Sequence, residues 1–217
     1  MTDFAAARAR MVETQLIARG IRDRAVLAAM GSVPREAFVP DGLAGEAYAD
    51  GPLPIGEGQT ISQPYIVALM IAALGLRPGG RVLEVGAGCG YAAAVLARMG
   101  AAVFAIERHA RLAEAARTRL AALGLGGAVL RVGDGHAGWP EAAPFQAILV
   151  SAAGPDVPGA LADQLGPGGR LVLPVGPPGG QRLLLLTRRG PERFERTDLG
   201  PVSFVPLLRG EGGAETG

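Results

Sequence analysis

Residues 81–107 read RVLEVGAGCGYAAAVLARMGAAVFAIE, and this stretch decides the fold. RVLEV (81–85) is a short, nearly continuous apolar run, as expected of a strand buried on both faces. EVGAGCG (84–90) follows at once, and Tyr91, Val95, Leu96 and Met99 then recur at helical spacing before AVFAI (102–106) begins a second strand. Strand, glycine turn, helix and strand make a βαβ unit. The rhythm continues with a helix marked by Leu112, Ala116, Leu120 and Leu123 and with strands AVLRV (128–132), FQAILV (145–150) and GRLVLPV (169–175). Such alternation implies a doubly wound α/β fold with a mostly parallel sheet. RLLLLTR (182–188) and VSFVPL (202–207) are expected to close its edge as an antiparallel hairpin.

The region before the sheet reads as helices and a loop. Met11, Val12, Leu16 and Ile17 are expected to share one buried face ahead of a cap at Gly20. Asp23 should cap a helix carrying Val26, Leu27 and Met30 that stops at Gly31. Residues 40–61 hold too much Gly and Pro for regular structure and are expected to form a long functional loop. Ser62 then reads as the N-cap of a helix with Pro64 in its first turn and Ile66, Met70, Ala73 and Leu74 inside. One domain over 1–210 is expected, with helices and a substrate loop in 1–79, a cofactor-binding core in 80–175 and edge strands in 176–210. A disordered tail is expected at 211–217.

Composition narrows the function classes. Lys and Arg total 21 and Asp and Glu 20, a formal net charge of +1, so neither a nucleic acid nor an anionic membrane surface is the expected partner. No signal peptide or bilayer-spanning run is legible, which points to a cytoplasmic protein, and a monomer is expected. Cys89 is the sole cysteine and His109 and His136 are the only histidines; no metal site is expected from them.

The glycine turn carries chemistry. Gly86, Gly88 and Gly90 allow a tight turn and a close ligand approach, with Ala87 between the first two. Glu107 lies at the end of the second strand, 21 positions past Gly86, where a carboxylate accepts hydrogen bonds from ribose hydroxyls, and Arg108 follows it. A dinucleotide fingerprint needs a small residue at 91, where this chain has Tyr91. Glu84, just before the turn, would repel a pyrophosphate but suits an ammonium or sulfonium group. These features favour S-adenosyl-L-methionine over NAD. Asp134 and Gly135, after the third strand, can meet the adenine amine. Ser151-Ala152-Ala153-Gly154, after the fourth strand, lacks the Asp/Asn-Pro-Pro-aromatic run of enzymes that methylate base amines.

Over residues 10–207 the chain resembles the protein-L-isoaspartate O-methyltransferase family, in MVETQL (11–16), RGI (19–21), VPREAFVP (33–40), AYADGPLPIGEGQTISQPYIVA (47–68), VGDGHAGWPEAAPF (132–145) and VSFVPL (202–207). It departs at Ala87, Cys89, Gln146 and Ser151, where the family commonly has Thr, Ser, Asp and Thr. The resemblance implies a seven-stranded Rossmann-like methyltransferase sheet, and damaged proteins and peptides containing L-isoaspartyl residues as substrates. It also implies Ser62 as the active-site serine, with Gln59, Thr60, Ile61, Asp50 and Val205 toward the substrate. Tyr48 is expected to help Asp50 close the site, and Trp139 and Cys89 to be packing residues. Two other readings remain open on the residues alone: a small-molecule carboxyl or hydroxyl methyltransferase, and a non-catalytic binding module.

Overall fold

A computed structural model describes residues 2–210; the expected tail at 211–217 lies outside the described residues. Two helices open the chain, α1 (Phe4–Met11) and α2 (Arg24–Ser32), joined by a π-helical segment over Val12–Ile17. The π turn changes which residues face inward. Five-residue spacing puts Met11 and Leu16 in line and both are buried, whereas Ile17 is 42% exposed and leaves the expected stripe. Asp23 caps α2 as expected, its Oδ1 accepting from the backbone N–H of Ala25 and Val26. The helix nevertheless runs through Gly31 to Ser32, because that glycine is not in a left-handed conformation and nothing breaks the turn.

Residues 40–61 are more ordered than their composition suggested. A 3₁₀ segment at Asp41–Glu46 leads into a small antiparallel hairpin, β1 (Leu53–Gly56) and β2 (Gln59–Ile61). Its two-residue turn has Glu57 at φ 52 and Gly58 at φ 66, the double positive φ that a tight right-twisted hairpin demands. Helix α3 (Pro64–Leu74) follows. Its N-cap is Gln63 rather than Ser62, with no side-chain capping bond, and Pro64 needs no donor at N1. Its buried face is Val67, Ala68, Met70, Ile71 and Leu74; Ile66 and Ala73 are only half-buried.

The core is a seven-stranded sheet. Its elements are β3 (Arg81–Val85), α4 (Tyr91–Arg98), β4 (Ala102–Glu107), α5 (Ala110–Ala122), β5 (Val129–Val132), β6 (Phe145–Val150), α6 (Gly159–Asp163), β7 (Leu165–Val175), β8 (Arg182–Arg188) and β9 (Phe194–Pro201). The strand order is β5-β4-β3-β6-β7-β8-β9, parallel from β5 to β7 and antiparallel at β7–β8 and β8–β9. Along β3, Val82 joins a cluster under α2, α3, α4 and α5, while Leu83 and Val85 join a second cluster with Leu161 and Ala162 of α6. Period-2 alternation between two covered faces is why the central strand reads as one apolar run.

The C-terminal hairpin corrects an expectation. β8 pairs with Phe194–Pro201, not with VSFVPL. FERTDLGP escaped notice because four of its central residues are exposed at the sheet edge and show no apolar period. VSFVPL instead crosses the carboxyl ends of the strands. Gln181, buried in spite of its polarity, holds Phe204 from both sides: Nε2 donates to the Phe204 carbonyl at 3.0 Å and Oε1 accepts from its N–H at 2.6 Å. The Ala153 N–H donates to the Val205 carbonyl and the Leu207 N–H to that of Ala153, at 2.8 and 2.7 Å.

Candidate active site

A cleft of about 820 Å³, counted out to its open mouth, lies at the carboxyl edge of β3, β4, β5 and β6. The strand order reverses direction around β3, and crevices at such a point are where open α/β sheets take ligands. One wall is the glycine turn with the ends of β4 and β5: Glu84, Gly86, Ala87, Gly88, Glu107, Arg108, His109 and Gly135. The other is β2 and the chain after it, Gln59 to Ser62, with Ser151 and Ala152 after β6 and Val205 to Leu208 from the crossing segment.

The turn is organised by Glu107. Its Oε2 accepts from the Gly88 N–H at 2.7 Å and its Oε1 from the His109 N–H at 2.9 Å, so the carboxylate is held rigidly at the cleft wall with lone pairs to spare. The Gly86 and Ala87 N–H groups both donate to the Ile106 carbonyl, at 2.9 and 3.1 Å. Gly88 sits at φ 53, and a Cβ there would come within 3.1 Å of Ile55 Cδ1 on the hairpin. Glycine at 88 therefore serves both the turn and the approach of β1. Gly90, at φ 88, faces the opposite way: its Cβ would meet Ala116 of α5 at 3.0 Å, so it packs helix against helix rather than lining the cleft.

Glu84 is fully buried, and burial first, then the negative charge of Glu107, push its carboxyl well above the usual 4.5. Its Oε2 has no hydrogen-bond partner among the described residues. A buried acceptor of this kind is costly until a donor arrives. Cys89 is buried, and desolvation raises its thiol to about 11, which leaves it protonated and no nucleophile. Tyr91 lies under the cleft, its ring at 5.5 Å from that of Phe38 and edge-on to it.

Two other expected residues stand outside the cleft lining. The Asp134 carboxylate is taken by the N–H and Nδ1 of His136 and, at 2.9 Å, by the Gly210 N–H; only its neighbours Gly133 and Gly135 reach the cleft. Asp50 pairs with Arg19 at 3.2 Å and accepts from Gln63 Nε2 at 2.8 Å, anchoring the residue after Ser62. Tyr48 donates to Glu36 and accepts from Arg8 Nε at 2.7 Å, tying the loop to α1. Trp139 packs edge-on against Phe104 at 5.6 Å. His109 and Leu208 line the cleft although the sequence offers no motif for either. His109 faces Glu57 of the hairpin turn at 3.8 Å, a juxtaposition that no local sequence signal announces.

Among the described residues there is no cluster of three potential metal ligands, and no helix is long and apolar enough to cross a membrane. The Protein-L-isoaspartate(D-aspartate) O-methyltransferase family model matches residues 7–212. A protein-L-isoaspartate O-methyltransferase of Methylorubrum populi is 81% identical over 99% of this chain and 100% of its own length. One from Brucella anthropi is 53% identical, with 96% of each chain covered. Among solved structures, a protein-L-isoaspartate O-methyltransferase superposes with a TM-score of 0.82 at 29% identity, over 95% of this chain and 66% of the other. A Plasmodium falciparum protein assigned to the same enzyme class, in complex with S-adenosyl-L-homocysteine, gives 0.79 at 25% identity, over 96% of this chain and 100% of its own. With a model match spanning nearly the whole length and relatives this similar end to end, the chain belongs to the protein-L-isoaspartate(D-aspartate) O-methyltransferase family.

Proposed function

We infer that this protein is an S-adenosyl-L-methionine-dependent carboxyl methyltransferase that esterifies the free α-carboxylate of L-isoaspartyl residues in damaged proteins and peptides. The observation that carries the reading is the cleft with two chemically different walls, one built on the Glu84–Gly88 turn and Glu107, the other on Gln59–Ser62.

The donor wall fits the cofactor on its own chemistry. The unpartnered Glu84 Oε2 asks for a donor, which an α-ammonium provides, and the Glu107 carboxylate can accept from vicinal hydroxyls while keeping its two backbone bonds. Arg108 and Gly135 complete the same wall. When bound, S-adenosyl-L-methionine supplies an electrophilic methyl on a sulfonium centre.

On the acceptor wall the demand is alignment. An isoaspartyl linkage leaves an α-carboxylate that is ionised at neutral pH, so its oxygen is already nucleophilic and no base has to remove a proton. Ser62 donates its hydroxyl to one carboxylate oxygen and leaves the other aimed across the cleft. Gln59, Thr60 and Ile61 border the acceptor, and Val205 offers backbone to an extended peptide in strand fashion. Ile61, Val67 and Leu207 keep this part apolar, which thins the water around the carboxylate and raises its reactivity. The ends of the reaction are the methyl ester and S-adenosyl-L-homocysteine. The proposal includes a monomer working in the cytoplasm; a single, buried cysteine with no disulfide partner suits a reducing compartment.

The test supplies methyl-labelled S-adenosyl-L-methionine with peptides matched except for a normal or an isoaspartyl linkage. Base-labile label on the isoaspartyl peptide alone is the expected result. Label on neither peptide, or only on small carboxylic acids, overturns the proposal.

A further inference from the structure

Arg35 is the largest fully buried side chain, with 0% exposure, and no carboxylate lies within salt-bridge distance of it among the described residues. A buried cation without a counterion is expensive, and a hydrophobic residue of similar volume would fill the space more cheaply. What the guanidinium does there is specific. Its Nε donates to the Ala47 carbonyl at 2.7 Å and its Nη2 to the Ser62 carbonyl at 2.8 Å. These two carbonyls are the feet of segment 47–62, which contains the hairpin and the whole Gln59–Ser62 wall. The same guanidinium lies 4.9 Å from the centroid of the Tyr91 ring, and Tyr91 is the first residue of α4, directly after the glycine turn.

We propose that Arg35 is a positioning residue for methyl transfer: its fork clamps both feet of the acceptor segment onto the helix that carries the donor turn, and so sets where the Ser62 hydroxyl points. A rigid planar fork can hold two carbonyls at fixed spacing while its face lies against an aromatic ring; a lysine ammonium reaches the same region with no fixed geometry. Because the bond goes to the Ser62 carbonyl, Arg35 acts through the serine and touches neither ligand. This inference rests on the role given above to Ser62.

The experiment is a double-mutant cycle of Arg35→Lys and Ser62→Ala in the full-length enzyme. It reads kcat and KM on an isoaspartyl peptide, the dissociation constant of S-adenosyl-L-homocysteine by calorimetry, and thermal melting. Arg35→Lys is expected to lower kcat ~10- to 100-fold, as loss of alignment does, with the nucleoside affinity nearly unchanged. In the Ser62→Ala background the same change should cost no more than ~2-fold, because the group it positions is gone. A purely structural strut would instead lower melting temperature and affinity together and give the same fold-loss in both backgrounds; that pattern, or wild-type kcat in Arg35→Lys, overturns the assignment. If Ser62→Ala alone keeps full turnover, the serine reading falls and this inference with it; if Ser62→Ala loses turnover and Arg35→Lys does not, only the Arg35 assignment falls. Should Arg35→Lys not fold, Arg35→Gln, which keeps a donor without burying a charge, is read in the same way.

Discussion

Glu84 shows how one residue links stability to ligand binding. Its carboxyl is raised mainly by burial and secondly by Glu107, so the folded protein holds a proton that the unfolded chain gives up near the ordinary 4.5. Linkage then makes Glu84 destabilising as pH rises above the unfolded value, until the folded pKa is passed. Glu84→Gln is therefore expected to match the wild-type melting temperature near pH 4 and to exceed it increasingly toward neutrality, with the ligand-free protein followed by calorimetry over pH. The same variant should bind S-adenosyl-L-homocysteine more weakly, since the cation that would ionise Glu84 loses its partner. Equal melting curves at all pH values would mean the carboxyl is solvated. Ser62 is the second residue-scale case. It does not cap α3, so Ser62→Ala should leave stability within ~0.5 kcal/mol while lowering kcat more than nucleoside affinity. A drop in melting temperature with kcat intact would return Ser62 to a structural role.

Between residues and the fold, elements differ in how openly they announce themselves. The βαβ core was legible because its strands are buried on both faces and its helices carry a clear period. The hairpin at 53–61 was not, since its turn is Glu57-Gly58 rather than Asn-Gly and its apolar positions are few. That turn carries a prediction. Glu57 occupies a left-handed conformation, φ 52, that costs a non-glycine residue ~1–2 kcal/mol and asparagine less. Against this, its contacts with the His109 ring and with the highly exposed Arg111 are both 3.8 Å long, beyond hydrogen-bond distance, and a pair with so exposed an arginine contributes little. Glu57→Asn is expected to raise the melting temperature by ~1–4 °C; a fall would mean the side-chain contacts of Glu57 outweigh the backbone strain. The edge strand β9 escaped detection for a related reason, because Glu195, Arg196, Thr197 and Asp198 face solvent. Exposed charge at a sheet edge also discourages pairing with another chain.

For the whole molecule, the carboxyl-edge cleft is assembled from residues far apart in sequence: 59–62, 67, 84–89, 91–92, 106–109, 133, 135, 151–152 and 205–208. A ligand lodged in it meets a site that exists only in the folded state. At ~100 times its dissociation constant, S-adenosyl-L-homocysteine should add ~2.7 kcal/mol, a rise of ~5–10 °C in melting temperature for a protein of this size. No shift would mean that the folded protein does not bind the nucleoside. By itself the sequence determined the strand–helix order, the glycine turn, the acid at the end of the second strand and the family, all of which are local spacings or contiguous motifs. Only the tertiary structure decided that Asp134 reaches Gly210, that VSFVPL lies across the strand ends rather than in the sheet, and that Arg35 grips Ala47 and Ser62. Those outcomes depend on which distant backbone group satisfies a buried donor or acceptor, and no period or spacing along the chain encodes that choice.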